Sequence, residues 1–304
     1  MLKFLEKLKY PAMLLAFGFL LIVAGYFEIK DITKFQITVS AKPVYTIFGV
    51  GILFCVASVV LFMIDEITFG WIKPTKIKNL PNGYSVHLNQ SEIRIIYGRL
   101  ELLAQSAGSS FVVLPANEFF DDECIYDERS ALGAYVSSKF TNQAKDIQKL
   151  IFDELKCIRP EKVEKEKGVI QDSYGIGTGV YLKNPLSSDQ AILFLSVTTK
   201  RAGEGLRSEM SYIFQAMSEV RRIAADKRMG AVFIPIISSG HGGIKREVAL
   251  FGMLLAICDA VTRSYGHHIS DYNIVIFQKD AAAKPDVSKT IAKRLLKMAV
   301  GMHV

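Results

Sequence analysis

Cysteine is scarce in this chain: there are four in 304 residues, Cys55, Cys124, Cys157 and Cys258, and no two are spaced as a CxxC pair. Neither a disulfide framework nor a zinc cluster is indicated. Catalytic signatures are lacking as well. The sequence contains no HExxH, no G-x-S-x-G, and no Gly-Lys-Ser/Thr closing a glycine loop. That excludes the zincin site, the nucleophile elbow and the Walker A phosphate loop. Charge is missing from two long stretches near the start. Tyr10 to Ile29 holds one charged residue, Glu28, and Val44 to Ile64 holds none.

Those two runs are each about the ~20 residues a helix needs to cross a bilayer core. A secretory signal would account for the first only, because its apolar region is about 7–15 residues long. The aromatics Tyr10, Phe27, Tyr45 and Trp71 flank the pair, as interfacial belts do. The expectation is a two-helix transmembrane hairpin over residues 1–66, with spans at about 10–29 and 44–64. Lys3, Lys7, Lys9, Lys73, Lys76 and Lys78 lie outside the spans, against Lys30, Lys34 and Lys42 between them. The lysine bias favours a cytoplasmic location for both termini. The net charge of +7 fits attraction to anionic headgroups, and nucleic acid is not expected as a partner.

Residues 67–90 carry Pro74, Pro81 and the turn pair Asn82-Gly83, and read as a juxtamembrane linker with a short strand at its end. Residues 91–304 then alternate strands with helices. Strands are expected at EIRIIYG, SFVVLPAN, GTGVYLKN, QAILFLSVTT, AVFIPIIS and YNIVIF. Helices are expected at LELLAQS, ALGAYVSSKF, TNQAKDIQKLIFDELKCI, about Leu206 to Lys227, the segment opened by Gly243, and VSKTIAKRLLKMAV. The Lys/Glu run at 161–167 reads as solvated surface. This alternation predicts a three-layer α/β fold with a largely parallel sheet.

The stretch Ser238-Ser239-Gly240-His241-Gly242-Gly243 follows a buried strand and opens a helix. Ligands of open α/β sheets settle at such junctions, and unpaired N–H groups at a helix N-terminus suit phosphate. Glycine lets backbone approach an anion closely. A tight turn with no ligand would use the same residues. Two further strand ends point the same way. One is Asn117, whose amide can bond a sugar hydroxyl. The other is the run Gly175, Gly177, Thr178 and Gly179.

A strand ending in PAN and another running into IPIISSGHGG resemble the macro domain, the module that binds ADP-ribose. The longer pattern PANEFFDDECIYDERSALGAYV, GIGTGVYL and IPIISSGHGGI, behind a two-span hairpin, is similar to the membrane-anchored macro-domain effectors of Thoeris anti-phage systems. The resemblance implies a macro-domain-like mixed, largely parallel sheet. It implies that Asn117 meets the distal ribose and that Ser239 to Gly243 wrap a diphosphate. The full set of implied ligand-binding residues is Asn117, Glu118, Phe120, Asp121, Ser130, Gly133, Gly177, Thr178, Ser238, Ser239, Gly240, His241, Gly242 and Gly243.

Two departures stand out. Many macro domains have Gly-Asp at the end of the first strand, where the Asp reads adenine, and here it is Gly98-Arg99. Macro-domain hydrolases have glycines after the Asn loop, and here the loop reads Asp127-Glu128-Arg129-Ser130. Both argue against ordinary ADP-ribose hydrolysis and toward a ligand decorated at its distal end. The Thoeris resemblance implies such a ligand: a NAD-derived signal from a TIR-domain enzyme, ADP-ribose joined to histidine. Asp121, Asp122, Glu123, Asp127 and Glu128 are candidates to meet its cationic group.

His241 as a general base, Cys124 as a nucleophile, and Mg²⁺ or Ca²⁺ on Asp121, Asp122 and Glu123 are the catalytic alternatives. The expected activity is nevertheless not enzymatic and needs no cofactor. It is a sensor that self-associates on binding and disrupts the membrane, aborting infection. The runner-up is a membrane-tethered hydrolase of ADP-ribosyl groups or O-acetyl-ADP-ribose. A third reading is a membrane scaffold for a poly-ADP-ribose reader.

Overall fold

The computed structural model describes residues 76–303, apart from 105–108, 122–124, 189 and 264–268, together with Val50, Ile52 and Cys55, which are helical. The expected spans otherwise lie outside the described residues. Among the described residues no helix is long and apolar enough to cross a membrane. The chain divides into two compact units, Met1–Pro74 and Thr75–Val304.

The second unit is built on an eight-stranded sheet of order β1-β2-β3-β10-β9-β4-β8-β7. Its five central strands are β3 (Ser91–Gly98), β10 (Asp271–Phe277), β9 (Ala231–Pro235), β4 (Ser110–Asn117) and β8 (Ala191–Thr198), and they run parallel. The edges are antiparallel: β1 (Lys78–Leu80) and β2 (Gly83–Leu88) on one side, β7 (Gly179–Leu182) on the other.

Strand composition follows from burial. Every residue of β8 is buried, so it reads as a continuous apolar run, as expected of a parallel strand covered on both faces. In β4, Phe111 and Val113 enter one core cluster, while Val112 and Leu114 enter the other. The first cluster is closed by α4 (Met210–Asp226), α5 (Arg246–Arg263) and α6 (Lys289–Gly301). The second is closed by α1 (Leu100–Leu103), α2 (Ala131–Lys139) and α3 (Ala144–Leu155). The three-layer α/β expectation therefore stands, with a mixed, mostly parallel sheet.

The short strand expected at the end of the 67–90 segment is a pair, β1 and β2, which extends the sheet antiparallel to β3. The Asn82-Gly83 pair is their turn. The Lys/Glu run at 161–167, expected as solvated surface, is mostly exposed; it also forms β5 (Glu161–Glu166), which pairs with β6 (Val169–Ser173) in a separate hairpin. Its strand character is hard to read because its inward residue is a lysine. Lys165 is 7% exposed and is held by an ion pair rather than by apolar packing.

Candidate functional site

The five parallel strands deliver their carboxyl ends to one edge of the sheet, where a cleft of about 520 Å³ opens. That volume lies in the ~300–1,000 Å³ range of small-molecule sites. Strand ends supply Gly98, Pro115, Ala116, Val197, Thr198, Pro235, Ile236, Val275 and Phe277 to its lining. Two loops form walls, one contributing Glu128 to Ala131 and the other Ser238 to Gly242.

Two helices begin at this cleft. The Ser130 hydroxyl caps α2 by accepting from the Gly133 N–H at 2.9 Å. No acid sits in the first turn of α2, and Ser130, Ala131 and Ala134 all line the cleft. Helix α5 begins at Arg246, also on the cleft wall. The positive ends of two helix dipoles suit this edge of the sheet to an anion, α2 more than α5, whose first turn carries Glu247.

The glycine loop separates structural needs from a possible ligand contact. At Gly242 a Cβ would come within 2.7 Å of the Ser238 carbonyl and 2.9 Å of the Ser208 Cβ, so close packing demands glycine there. Gly243 has φ +76°, which favours a residue without a Cβ. Gly240 has neither constraint, since nothing lies within 4 Å of where its Cβ would stand. Ser238 is held at φ 65° and is 5% exposed. Its buried Oγ has no hydrogen-bond partner among the described residues. A non-glycine residue in the left-handed region with an unsatisfied hydroxyl, on a cleft wall, is the kind of strain that collects at functional sites. The Ser239 hydroxyl instead donates to the Ile236 carbonyl at 3.1 Å.

His241 reaches across to the opposite loop, with Nε2 3.1 Å from the Asp127 carboxylate. Asp127 also accepts from the Arg129 guanidinium (Nε, 2.9 Å) and from the Arg129 backbone N–H (3.0 Å). These bonds, Arg129 first and His241 least, hold the Asp127 carboxyl at about 2. Thus one expected acidic contact, Asp127, already holds an imidazole of the protein. Glu128 lines the cleft and accepts from the Ser137 hydroxyl at 2.6 Å.

Of the residues expected from sequence, Ser130, Ser238, Ser239, Gly240, His241 and Gly242 line the cleft; Asn117, Glu118, Phe120, Asp121, Gly133, Gly177, Thr178 and Gly243 do not. Asn117 turns its amide into the loop it opens. Its Oδ1 accepts from the Phe119 N–H at 3.0 Å, and its Nδ2 donates to Asp121 at 2.9 Å. Asp121 in turn pairs with Lys165 at 2.5 Å. Phe120 is 2% exposed and packs edge-on against Tyr174 in the core. Glu118 is buried among the Ser173 hydroxyl at 2.7 Å, the Lys200 N–H at 3.1 Å and the Arg201 guanidinium. Gly177 lies behind, with φ +83°, against Gln215, and the Thr178 hydroxyl donates to the Tyr174 carbonyl. Glu118 and Asp121 therefore tie the β4 loop to the β5–β6 hairpin, and Asn117, the expected ribose contact, bonds to Asp121.

The catalytic alternatives fare unevenly. Asp122, Glu123 and Cys124 lie outside the described residues, and among those described no three possible metal ligands converge. Burial pushes the Cys258 thiol up to about 12, leaving it a core side chain.

Among the cleft residues that sequence reading missed, four carry charge or an exposed ring: Glu101, Arg246, Asp286 and Phe277. Glu101 is 4% exposed and accepts from Arg99 Nε at 2.6 Å. Arg246 and Asp286 pair at 3.3 Å, with burial raising the Asp286 carboxyl while Arg246 works against the rise. Phe277 ends β10 with 51% of its surface exposed beside a buried run. The exposed aromatic closing an otherwise buried strand was the one local signal.

A family model, the macro domain of Thoeris protein ThsA, matches residues 93–276. The chain belongs to the ThsA macro-domain family. Solved macro domains share the fold of this ThsA-type domain. The Oceanobacillus iheyensis macrodomain with MES superposes with a TM-score of 0.52 at 13% identity, over 72% of this chain and 98% of that one. The same macrodomain with ADP gives 0.52 at 14%, over 72% and 97%. A point mutant of it with ADPR gives 0.51 at 13%, over 72% and 98%. No curated protein matches the chain. The ThsA match ends at Ile276 and so includes the glycine loop and both cleft walls, while Phe277 and Asp286 lie beyond it.

Proposed function

We propose that this chain is a membrane-embedded anti-phage effector whose ThsA macro domain binds a NAD-derived signal, an ADP-ribose conjugate made by a TIR-domain enzyme. The observation that carries the reading is the cleft itself: two helix N-termini and the unpartnered Ser238 hydroxyl surround the open face of Gly240. That arrangement supplies donors for a diphosphate. The related O. iheyensis macrodomain was solved with ADP and, as a mutant, with ADPR. At the end formed by β3 and β10, buried Glu101 offers an acceptor and Phe277 an exposed ring. Together they suit an amine-bearing base in place of the missing strand-end Asp. At the other end, Glu128 and the Asp127–His241 pair face the decorated ribose.

On this reading the histidine conjugate competes with His241 for Asp127, and the signal is bound rather than turned over. The two apolar runs anchor the domain in the inner membrane, with the domain in the cytoplasm. Binding favours an arrangement that self-associates, which requires the ligand to prefer that arrangement over the resting one. A hydrolase is the second reading, and the His241–Asp127 pair favours it, since a carboxylate-oriented imidazole is a general base in form. Dye-loaded liposomes carrying the full chain test the effector reading. Leakage is expected on adding the histidine conjugate of ADP-ribose and not on adding ADP. Leakage without ligand, or none with ligand bound, contradicts it.

A further inference from the structure

The only helix of the domain's first core cluster that is wholly without acid is α6. From 289 to 301 it carries Lys289, Lys293, Arg294 and Lys297 and no Asp or Glu. Its basic side is fixed to the start of the domain. Lys293 Nζ donates to the Asn79 side chain at 3.0 Å and sits 5.3 Å from the centre of the Tyr84 ring, while Lys289 sits 5.6 Å from that of Tyr97. Lys78 lies on the other side of β1, beside Glu92, so the basic face is that of α6 itself. Neighbouring carboxylates have cations of their own: Glu92 and Asp271 share Arg94 at 2.5 and 2.8 Å, and Asp286 has Arg246. Ile291 and Met302 add exposed apolar surface at 39% and 62%. A basic face edged with exposed apolar side chains is the composition of a surface that lies on a bilayer.

We propose that the basic face of α6 docks on an anionic lipid surface. The proposal extends the membrane-effector reading, and what it takes from that reading is the bilayer. Eleven residues, 65–75, join the second apolar run to the segment carrying Asn79, which bonds this face. Fully extended they reach about 40 Å, so a chain anchored by that run keeps the basic face within reach of headgroups. Basic residues near such a surface each strengthen attachment by about five-fold.

The test uses the full chain reconstituted into phosphatidylcholine liposomes, with and without phosphatidylglycerol. Brief amine labelling is read by peptide mass spectrometry. Lys289, Lys293 and Lys297 are expected to label about five-fold or more slowly with phosphatidylglycerol. Lys149, on α3 against the opposite sheet edge, is expected to be unchanged. Salt at 1 M cancels the effect, because the screening length falls to about 3 Å. The triple variant K293Q/R294Q/K297Q loses the protection at Lys289. Equal labelling in both lipids, protection that survives salt, or equal protection by duplex DNA in detergent overturns the proposal. An alkaline wash separates the two readings: release of the chain removes the anchor, whereas lipid-dependent labelling alone decides the docking face.

Discussion

Gly240→Val is expected to weaken binding of ADP-ribose compounds by roughly 100-fold or more while leaving the fold intact, and Gly242→Val is expected to destabilise the fold itself. The two glycines are two residues apart and differ only in what surrounds them. Nothing lies within 4 Å of a Cβ at position 240. A valine there stands in the cleft, with stability within about 0.5 kcal/mol of the parent, as for other open-surface changes. It does block backbone approach to a diphosphate. Losing two charge-assisted hydrogen bonds of about 1.5–3 kcal/mol each weakens binding by roughly 100-fold or more. At position 242 the added carbons meet the Ser238 carbonyl, the Ser208 Cβ and, at 3.1 Å, the Thr198 methyl. Overpacking of that kind costs roughly 1–3 kcal/mol. Thermal melts and equilibrium titration on the two variants check both halves. A Gly240→Val protein that binds normally would remove the glycine loop from the site.

The second large effect is expected behind the cleft. Lys165 and Asp121 pair with side chains 9% and 8% exposed, and the lysine ammonium lies 5.6 Å from the centre of the Phe119 ring. Asp121→Ala leaves that charge in a dry setting, and removing one partner of such a pair costs about 3–5 kcal/mol. Replacing both, as Asp121→Ala with Lys165→Met, is expected to cost much less than the two single changes together, because the charged pair is removed as a unit. A double-mutant cycle in denaturant measures the coupling. The same ion pair holds Asn117, through its bond to Asp121. The single variant is therefore expected to loosen the β4 loop as well as lose stability. Additive costs would mean that the hairpin is not tied to the β4 loop through this pair.

How much of this was legible in the sequence depends on whether the signal was local. The buried runs of β4 and β8 announced parallel strands because both faces are covered. The segment Ser238 to Gly243 announced a ligand loop because glycine, strand end and helix start are contiguous. Hairpin β5–β6 was not legible, since its inward residue is charged and its partner lies 44 positions away. Strand β1 was obscured because its three residues are mostly exposed. Asn117 was correctly placed at a strand end, yet sequence cannot show that its amide closes its own turn. Glu101, Arg246, Asp286 and Phe277 come from four separate elements or loops. None forms a pattern with its neighbours, and only the sheet brings them together.

The central claim is that this cleft binds an ADP-ribose conjugate and leaves it whole. The most direct measurement incubates the detergent-purified full chain with ADP-ribose and with its histidine conjugate, recovers the bound material and separates it by chromatography. The account predicts that both bind, that the conjugate binds more tightly, and that each is recovered intact. Cleaved conjugate would make the His241–Asp127 pair catalytic machinery, and binding of neither compound would contradict the assignment of the cleft.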